Sequence, residues 1–134
     1  MRILGIDPGY GITGFGLIDA QRGQFRLLRC GAITTPAGMD FSARLEIIYE
    51  DMRQLLQTAK PDAVAIEELF FGQNVTTGIG VAQSRGVILL AIRQAGLRLS
   101  YKNTVASVIP RTWIERQMAF FPRLVRFPHI RPFV

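Results

Sequence analysis

Apolar residues along this chain fall into two periodicities. Ile3, Leu4 and Ile6 form a short strand-like run that ends in a carboxylate, Asp7. Ile12 to Ile18 alternates well enough to be a second strand. Asp19 to Gly23 reads as a hairpin loop, and Phe25 to Ile33 as a third strand. Connections this short make neighbours in one sheet, so the first three strands are predicted to be an antiparallel meander. The period then changes. Leu45, Ile48, Met52, Leu55 and Leu56 recur at helical spacing, with Asp40 or Ser42 as cap and Lys60-Pro61-Asp62 as terminator. Glu46, Glu50, Asp51 and Arg53 are placed off the apolar stripe. Ala63 to Ile66 is a buried strand that follows a helix, which points to a parallel partner. Thr76 to Gln94 reads as a second helix, with Gly96 as its stop, and Leu97 to Tyr101 as a fifth strand. Gly78, Gly80 and Gly86 are poor helix residues and predict close packing in the second helix. The pattern gives an α/β domain: an antiparallel meander, a covering helix, a strand with a parallel partner, a second helix and a candidate fifth strand.

The regularity stops after Lys102. Residues 103–134 hold Pro110, Pro122, Pro128 and Pro132 and five arginines. Only Arg111 to Phe121 could be a short helix, and Phe121 onward reads as irregular. The expected division is therefore a core over 1–102 and a divergent tail over 103–134.

Composition narrows the chemistry. The chain has 134 residues, 49% of them hydrophobic, which suits one globular domain. Its longest apolar run, Val87 to Ile92, is too short to span a bilayer, and no charged-then-apolar leader opens the chain. A cytoplasmic location without membrane attachment is expected. One cysteine, Cys30, and one histidine, His129, exclude an internal disulfide and a Cys/His metal cluster. Any metal would be a hard ion held by carboxylates, magnesium or manganese. The net charge is +6 and is unevenly spread. Nine of the ten acids lie in 1–68 beside seven Lys/Arg, whereas 69–134 holds one acid, Glu115, and nine Lys/Arg. The second half has the electrostatic footprint of a phosphate-facing surface.

Two acids stand where chemistry gathers. Asp7 closes the first strand before the turn Pro8-Gly9, and Glu67-Glu68 closes the fourth. In open α/β sheets, sites form at the carboxyl ends of parallel strands, so Asp7 and Glu67 can converge if their strands are adjacent. Asp7 as a plain turn cap is the equal alternative at this point. Phe70 and Phe71 follow in a loop beside the acids; they either tuck into the core or offer a face to an unpaired base.

Taken together, these residues resemble the RuvC family of Holliday-junction resolvases over Met1 to Lys102. The resemblance rests on Gly5-Ile6-Asp7-Pro8-Gly9 with Thr13-Gly14-Phe15-Gly16, on Arg44-Leu45 leading Ile48-Tyr49, on Ala65-Ile66-Glu67, on Phe70 with Asn74, and on Gln83-Ser84-Arg85-Gly86-Val87. It implies an RNase H-like fold, a five-stranded mixed sheet with its first three strands antiparallel and flanked by helices, and a homodimer that nicks four-way DNA junctions symmetrically in recombination and repair. It also implies work alongside a branch-migration motor of RuvA and RuvB. Asp7 and Glu67 match family metal ligands for Mg2+, with Mn2+ as a substitute. Two such ions roughly 3.5–4 Å apart clamp the attacking and leaving oxygens of a phosphodiester. Phe70 matches an aromatic placed at the junction, and Asn74, Arg85 and Lys102 are the other expected DNA contacts. The second helix matches one used near the dimer interface.

The family also carries further acids, or a His with an acid, on a final helix, and a basic glycine-containing segment before it. Neither pattern is present in 103–134, where Glu115 and His129 fall outside it. The expectation is a chain that cleaves junctions poorly or not at all. The other readings are a binding-only protein for branched DNA, a nucleotide-binding domain of the actin and sugar-kinase type, and a plain structural domain. The nucleotide-binding reading lacks a second Gly-rich phosphate loop. The structural reading leaves Asp7, Glu67 and the charge split without a role.

Overall fold

The computed structural model describes residues 1–69, 75–100 and 130–131. Within them run β1 (Arg2–Asp7), β2 (Ile12–Gln21), β3 (Gln24–Thr34), α1 (Phe41–Ala59), β4 (Ala63–Ile66), α2 (Val75–Gln94), β5 (Arg98–Ser100) and β6 (Ile130–Arg131). The sheet order is β5-β4-β1-β2-β3-β6. β1, β2 and β3 pair antiparallel, and β4 pairs parallel with both β1 and β5. All five predicted strands are therefore present in a mixed sheet. A sixth strand, of two residues, joins the β3 edge antiparallel, within a stretch whose sequence reads as irregular. A two-residue strand is too short to show a period, so its pairing is a tertiary property. The predicted helix over 111–121 lies outside the described residues.

Alternation along β1 decides the two faces of the sheet. Leu4 and Ile6 are 0% and 4% exposed and face the helices, together with Phe15 and Leu17 of β2 and Val64 and Ile66 of β4. α1 lays Ile48, Met52, Leu55, Leu56 and Ala59 on this face, and α2 adds Ile88, Ala91 and Ile92. Burying each of these large side chains contributes about 1.5–3 kcal/mol. Asp51 departs from its predicted place outside the stripe, being only 6% exposed. It lies three residues after Ile48 and four before Leu55, which puts it on the buried side of α1.

The turns explain the remaining differences from the sequence pattern. β2 and β3 run to Gln21 and Gln24, closing the hairpin with two residues, Arg22 and Gly23, both at positive φ (48° and 80°). That is the twist-matched two-residue turn, shorter than the predicted loop over 19–23. Gly96, at φ +71°, ends α2 as expected. Its N–H donates to the Arg93 carbonyl, and that of Leu97 to the Ile92 carbonyl, the paired bonds of a left-handed helix stop. By length and composition alone α2 is apolar enough to cross a membrane, with mean hydropathy 1.4, so its apolar character extends beyond Val87–Ile92. One side of it is nonetheless built into the core through Ile88 and Ile92, at 0% and 1% exposure.

Asp40 caps α1 by accepting from the Ala43 N–H, and Ser42 donates its hydroxyl to the same carboxylate. The Ser42 hydroxyl, and then the Ala43 N–H, hold the Asp40 carboxyl below its ordinary range. A carboxyl depressed by folding stabilises the native state above its unfolded pKa, and this is lost as pH falls through the folded value. Asp40→Asn keeps a capping oxygen but not the charge. The expected outcome is a lower melting temperature for the variant at neutral pH and convergence with the parent on acidification. Thermal melts across the acid range check it.

Candidate active site

The site is built at the carboxyl ends of β1 and β4. Their parallel register pairs Ile3 with Ala63 and continues to Ile6 with Ile66. The Glu67 N–H then donates to the Ile6 carbonyl at 3.0 Å, carrying the ladder one residue past β4. Asp7 and Glu67 are thus neighbours in register, on strands about 4.8 Å apart. Ile6 and Ile66 face the helices, so alternation turns Asp7 and Glu67 together to the opposite face, and Glu68 away from them. Both acids are exposed. On the other flank of Asp7 stands Gly14, its register partner on β2. A Cβ at Gly14 would lie 3.7 Å from the Asp7 Cβ, so no side chain on β2 crowds the carboxylate. The strands that carry the two acids are adjacent, which is the condition the sequence set for their convergence.

The turn after Asp7 is fixed by buried hydroxyls. The Gly9 carbonyl accepts from Thr13 Oγ1 at 2.6 Å and from Ser84 Oγ at 2.9 Å, and the Gly9 N–H donates to Thr13 Oγ1 at 3.3 Å. Thr13 and Ser84 are both 0% exposed. A Cβ on Gly9 would sit 2.2 Å from the Ile12 carbonyl oxygen, so the turn admits only glycine there. Tyr10, the next residue, is held between the two helices. Its ring meets Phe41 edge-on at 5.6 Å, and the Arg44 guanidinium lies 4.9 Å from its centroid. A Cβ on Gly80 would come within 2.8 Å of the same ring, which explains this glycine inside a helix. Arg44 is anchored by its Nε donating to Thr35 Oγ1 at 2.9 Å. Gly86, by contrast, has nothing among the described residues within 4 Å of the position a Cβ would take, so the close packing predicted for it is not made among them.

Arg85, expected as a DNA contact, lies beside the end of β4: its Nε donates to the Glu67 backbone carbonyl at 3.2 Å. Phe70, Asn74, Lys102, Glu115 and His129 lie outside the described residues. Among the described residues no group of three or more His, Cys, Asp or Glu could hold a metal ion. Asp7 and Glu67 place carboxylate oxygens at the ends of adjacent strands, and oxygens of that kind suit magnesium or manganese. A cavity of about 340 Å³ lined by Asp19, Gln21, Gln24, Phe25 and Arg26 opens at the opposite end of the sheet, away from the acids. Sequence reasoning missed the Thr13 and Ser84 latch. Its signal was a lone hydroxyl residue, Ser84, on the buried side of α2 with Ile88, Ala91 and Ile92.

A mixed sheet with its first three strands antiparallel, and acids at the ends of adjacent parallel strands, defines a domain of the RNase H-like class. Comparison with known proteins gives the family. The family model for crossover junction endodeoxyribonuclease RuvC matches residues 3–111, and the chain belongs to the RuvC family. It is 50% identical to RuvC of Chloroflexus aurantiacus over 97 residues, 72% of this chain and 59% of that one. It is equally 50% identical over 97 residues to RuvC of Brevibacillus brevis, covering 72% and 58%. The chain thus spans about three fifths of the length of the curated relatives it matches. Its fold is similar to that of Thermus thermophilus RuvC in complex with a Holliday junction substrate, at a TM-score of 0.76 and 24% identity, over 96% of this chain and 85% of that one. The yeast mitochondrial Holliday junction resolvase Ydc2 is more distant, at a TM-score of 0.61 and 13% identity, over 89% and 61%.

Proposed function

We propose that this chain carries the core of a Holliday-junction resolvase that nicks four-way DNA junctions in symmetric pairs during recombination and repair. The observation that supports it most is the in-register pair Asp7 and Glu67, turned to one face at the ends of adjacent parallel strands. These carboxylates would hold Mg2+ or Mn2+. When bound, the ion supplies polarisation of a phosphoryl oxygen and an activated water. The chain's own part is to fix the two carboxylates on rigid strands and to keep the Gly14 side clear for a phosphodiester. Phe70, Asn74 and Lys102 are proposed contacts to the junction, with Arg85 at the edge of the acid pair. Residues 1–102 are proposed as the nuclease core.

The proposed assembly is a homodimer through α2, working with RuvA and RuvB in the cytoplasm. Val75, Ile79 and Leu90 on α2 are 61%, 55% and 50% exposed, and Gly86 opens a gap between Ile79 and Leu90 on that outer side. An apolar, half-exposed helix with a glycine gap suits close contact with a second copy.

Two carboxylates neutralise half the charge of two divalent ions, so slow cutting by this 134-residue polypeptide is expected. The test is incubation with a labelled four-way junction and Mg2+ or Mn2+. Paired nicks that require the ion are the predicted result. Binding no tighter than to linear duplex, with no ion-dependent nick, would overturn the proposal. Among the described residues the acid pair has no third ligand, which gives the binding-only reading its support. Salt-sensitive junction binding without any nick would establish that reading.

A further inference from the structure

The geometry points to Ser84 and Arg85 as positioning residues: consecutive positions on α2 that hold the two acid-bearing strand ends at a fixed separation. The inference rests on the reading of Asp7 and Glu67 as an ion-binding pair. Ser84 Oγ bonds the carbonyl of Gly9, two residues past Asp7, at 2.9 Å. Arg85 Nε bonds the carbonyl of Glu67 itself at 3.2 Å. Neighbours on a helix point about 100° apart, so one helical step reaches both segments at once. The β1–β4 ladder reaches the bond from the Glu67 N–H to the Ile6 carbonyl. Beyond that point α2 supplies one bond to each segment. The close seat of Gly80 on Tyr10 fixes α2 one turn earlier.

The Ser84 bond is not needed to rescue an orphaned group on the turn. The Gly9 carbonyl already accepts from Thr13 at 2.6 Å, and an alanine at 84 would fill nearly the same buried space without a hydroxyl to satisfy. What the Ser84 hydroxyl adds is a tie between α2 and the turn. Ion affinity depends on the spacing and orientation of ligand oxygens, which outer partners set. Because α2 also carries the exposed Ile79–Leu90 side, any displacement of the helix moves both carboxylates' supports together.

The experiment is a Mn2+ titration of the chain, following free ion by electron paramagnetic resonance. It compares the parent with Asp7→Asn, Ser84→Ala, Arg85→Ala and Arg85→Lys, with helix content checked by circular dichroism. Ser84→Ala and Arg85→Ala are each expected to weaken Mn2+ binding about tenfold, and Arg85→Lys to recover most of that loss. The sign for Arg85 is diagnostic. Removing a cation beside two carboxylates would, by Coulomb attraction alone, tighten the ion; positioning demands the opposite. If Asp7→Asn loses the ion while Ser84→Ala and Arg85→Ala bind it as well as the parent or better, the positioning role is overturned and the acid pair stands. If Asp7→Asn binds as tightly as the parent, the acid pair itself fails and the positioning role falls with it. Should Ser84→Ala lose helix content, the Arg85 variants decide alone.

Discussion

Replacing Gly9 with alanine is expected to remove a large share of the stability of the fold. The added Cβ would lie 2.2 Å from the Ile12 carbonyl oxygen and 3.2 Å from its carbon. Both are backbone atoms at the entry to β2, so no side chain can swing aside. The turn must open, and its opening breaks the bonds that Thr13 and Ser84 make to the Gly9 carbonyl. Each hydroxyl is fully buried, and leaving a buried polar group unsatisfied costs about 1–3 kcal/mol. Together with the backbone shift, the loss is on the order of 3–5 kcal/mol, a large share of a typical domain's stability. Urea denaturation reads it directly. Gly16→Ala is the control: nothing among the described residues lies within 4 Å of a Cβ there, so it is expected to be near neutral. Similar small losses for both variants would refute the steric account of the turn.

Asp7→Asn is expected to act on stability in the opposite direction while abolishing ion binding. Without an ion, two carboxylates side by side on neighbouring strands repel, at roughly 0.2–1 kcal/mol for a directly opposed like-charged pair. Neutralising Asp7 should raise the ion-free melting temperature by about 2 °C. The parent gains about 1.4 kcal/mol from Mn2+ at ten times its Kd, and the variant gains none. Glu67→Gln is expected to lose the ion-induced shift in the same way. A site that pays stability for function has this signature: metal-free variants more stable than the parent, metal-loaded parent more stable than either. Thermal melts with and without Mn2+ check both halves. An equal ion-induced shift in parent and Asp7→Asn would show that the ion binds elsewhere.

Period and punctuation carried much of this fold. The helix over Phe41–Ala59, the strand over Ala63–Ile66 and the stop at Gly96 are local patterns backed by caps and a left-handed glycine, and they read directly from sequence. The facing of Asp7 and Glu67 was legible too, because alternation and a parallel crossover between β1 and β4 leave few other arrangements. What stayed hidden was tertiary. Arg85 reads as one more cation in a basic half-chain, and only the crossing of α2 over the strand ends brings it to the Glu67 carbonyl. Gly80 and Gly86 look alike in sequence, yet one seats Tyr10 and the other meets no described residue. Asp51 sits at the edge of a helical stripe, where a charge suggests solvent and the angle decides otherwise. The pairing of Ile130–Arg131 with β3 joins residues about a hundred positions apart, which no window of local pattern can reveal.

The most direct measurement is Mn2+-induced paramagnetic broadening of amide signals in the isotopically labelled chain. The account predicts loss of the Asp7, Gly14 and Glu67 signals first, since these three residues surround the proposed ion position on neighbouring strands. Broadening centred on the acids of α1, Glu46 and Glu50, with the β1 and β4 ends unaffected, would contradict it.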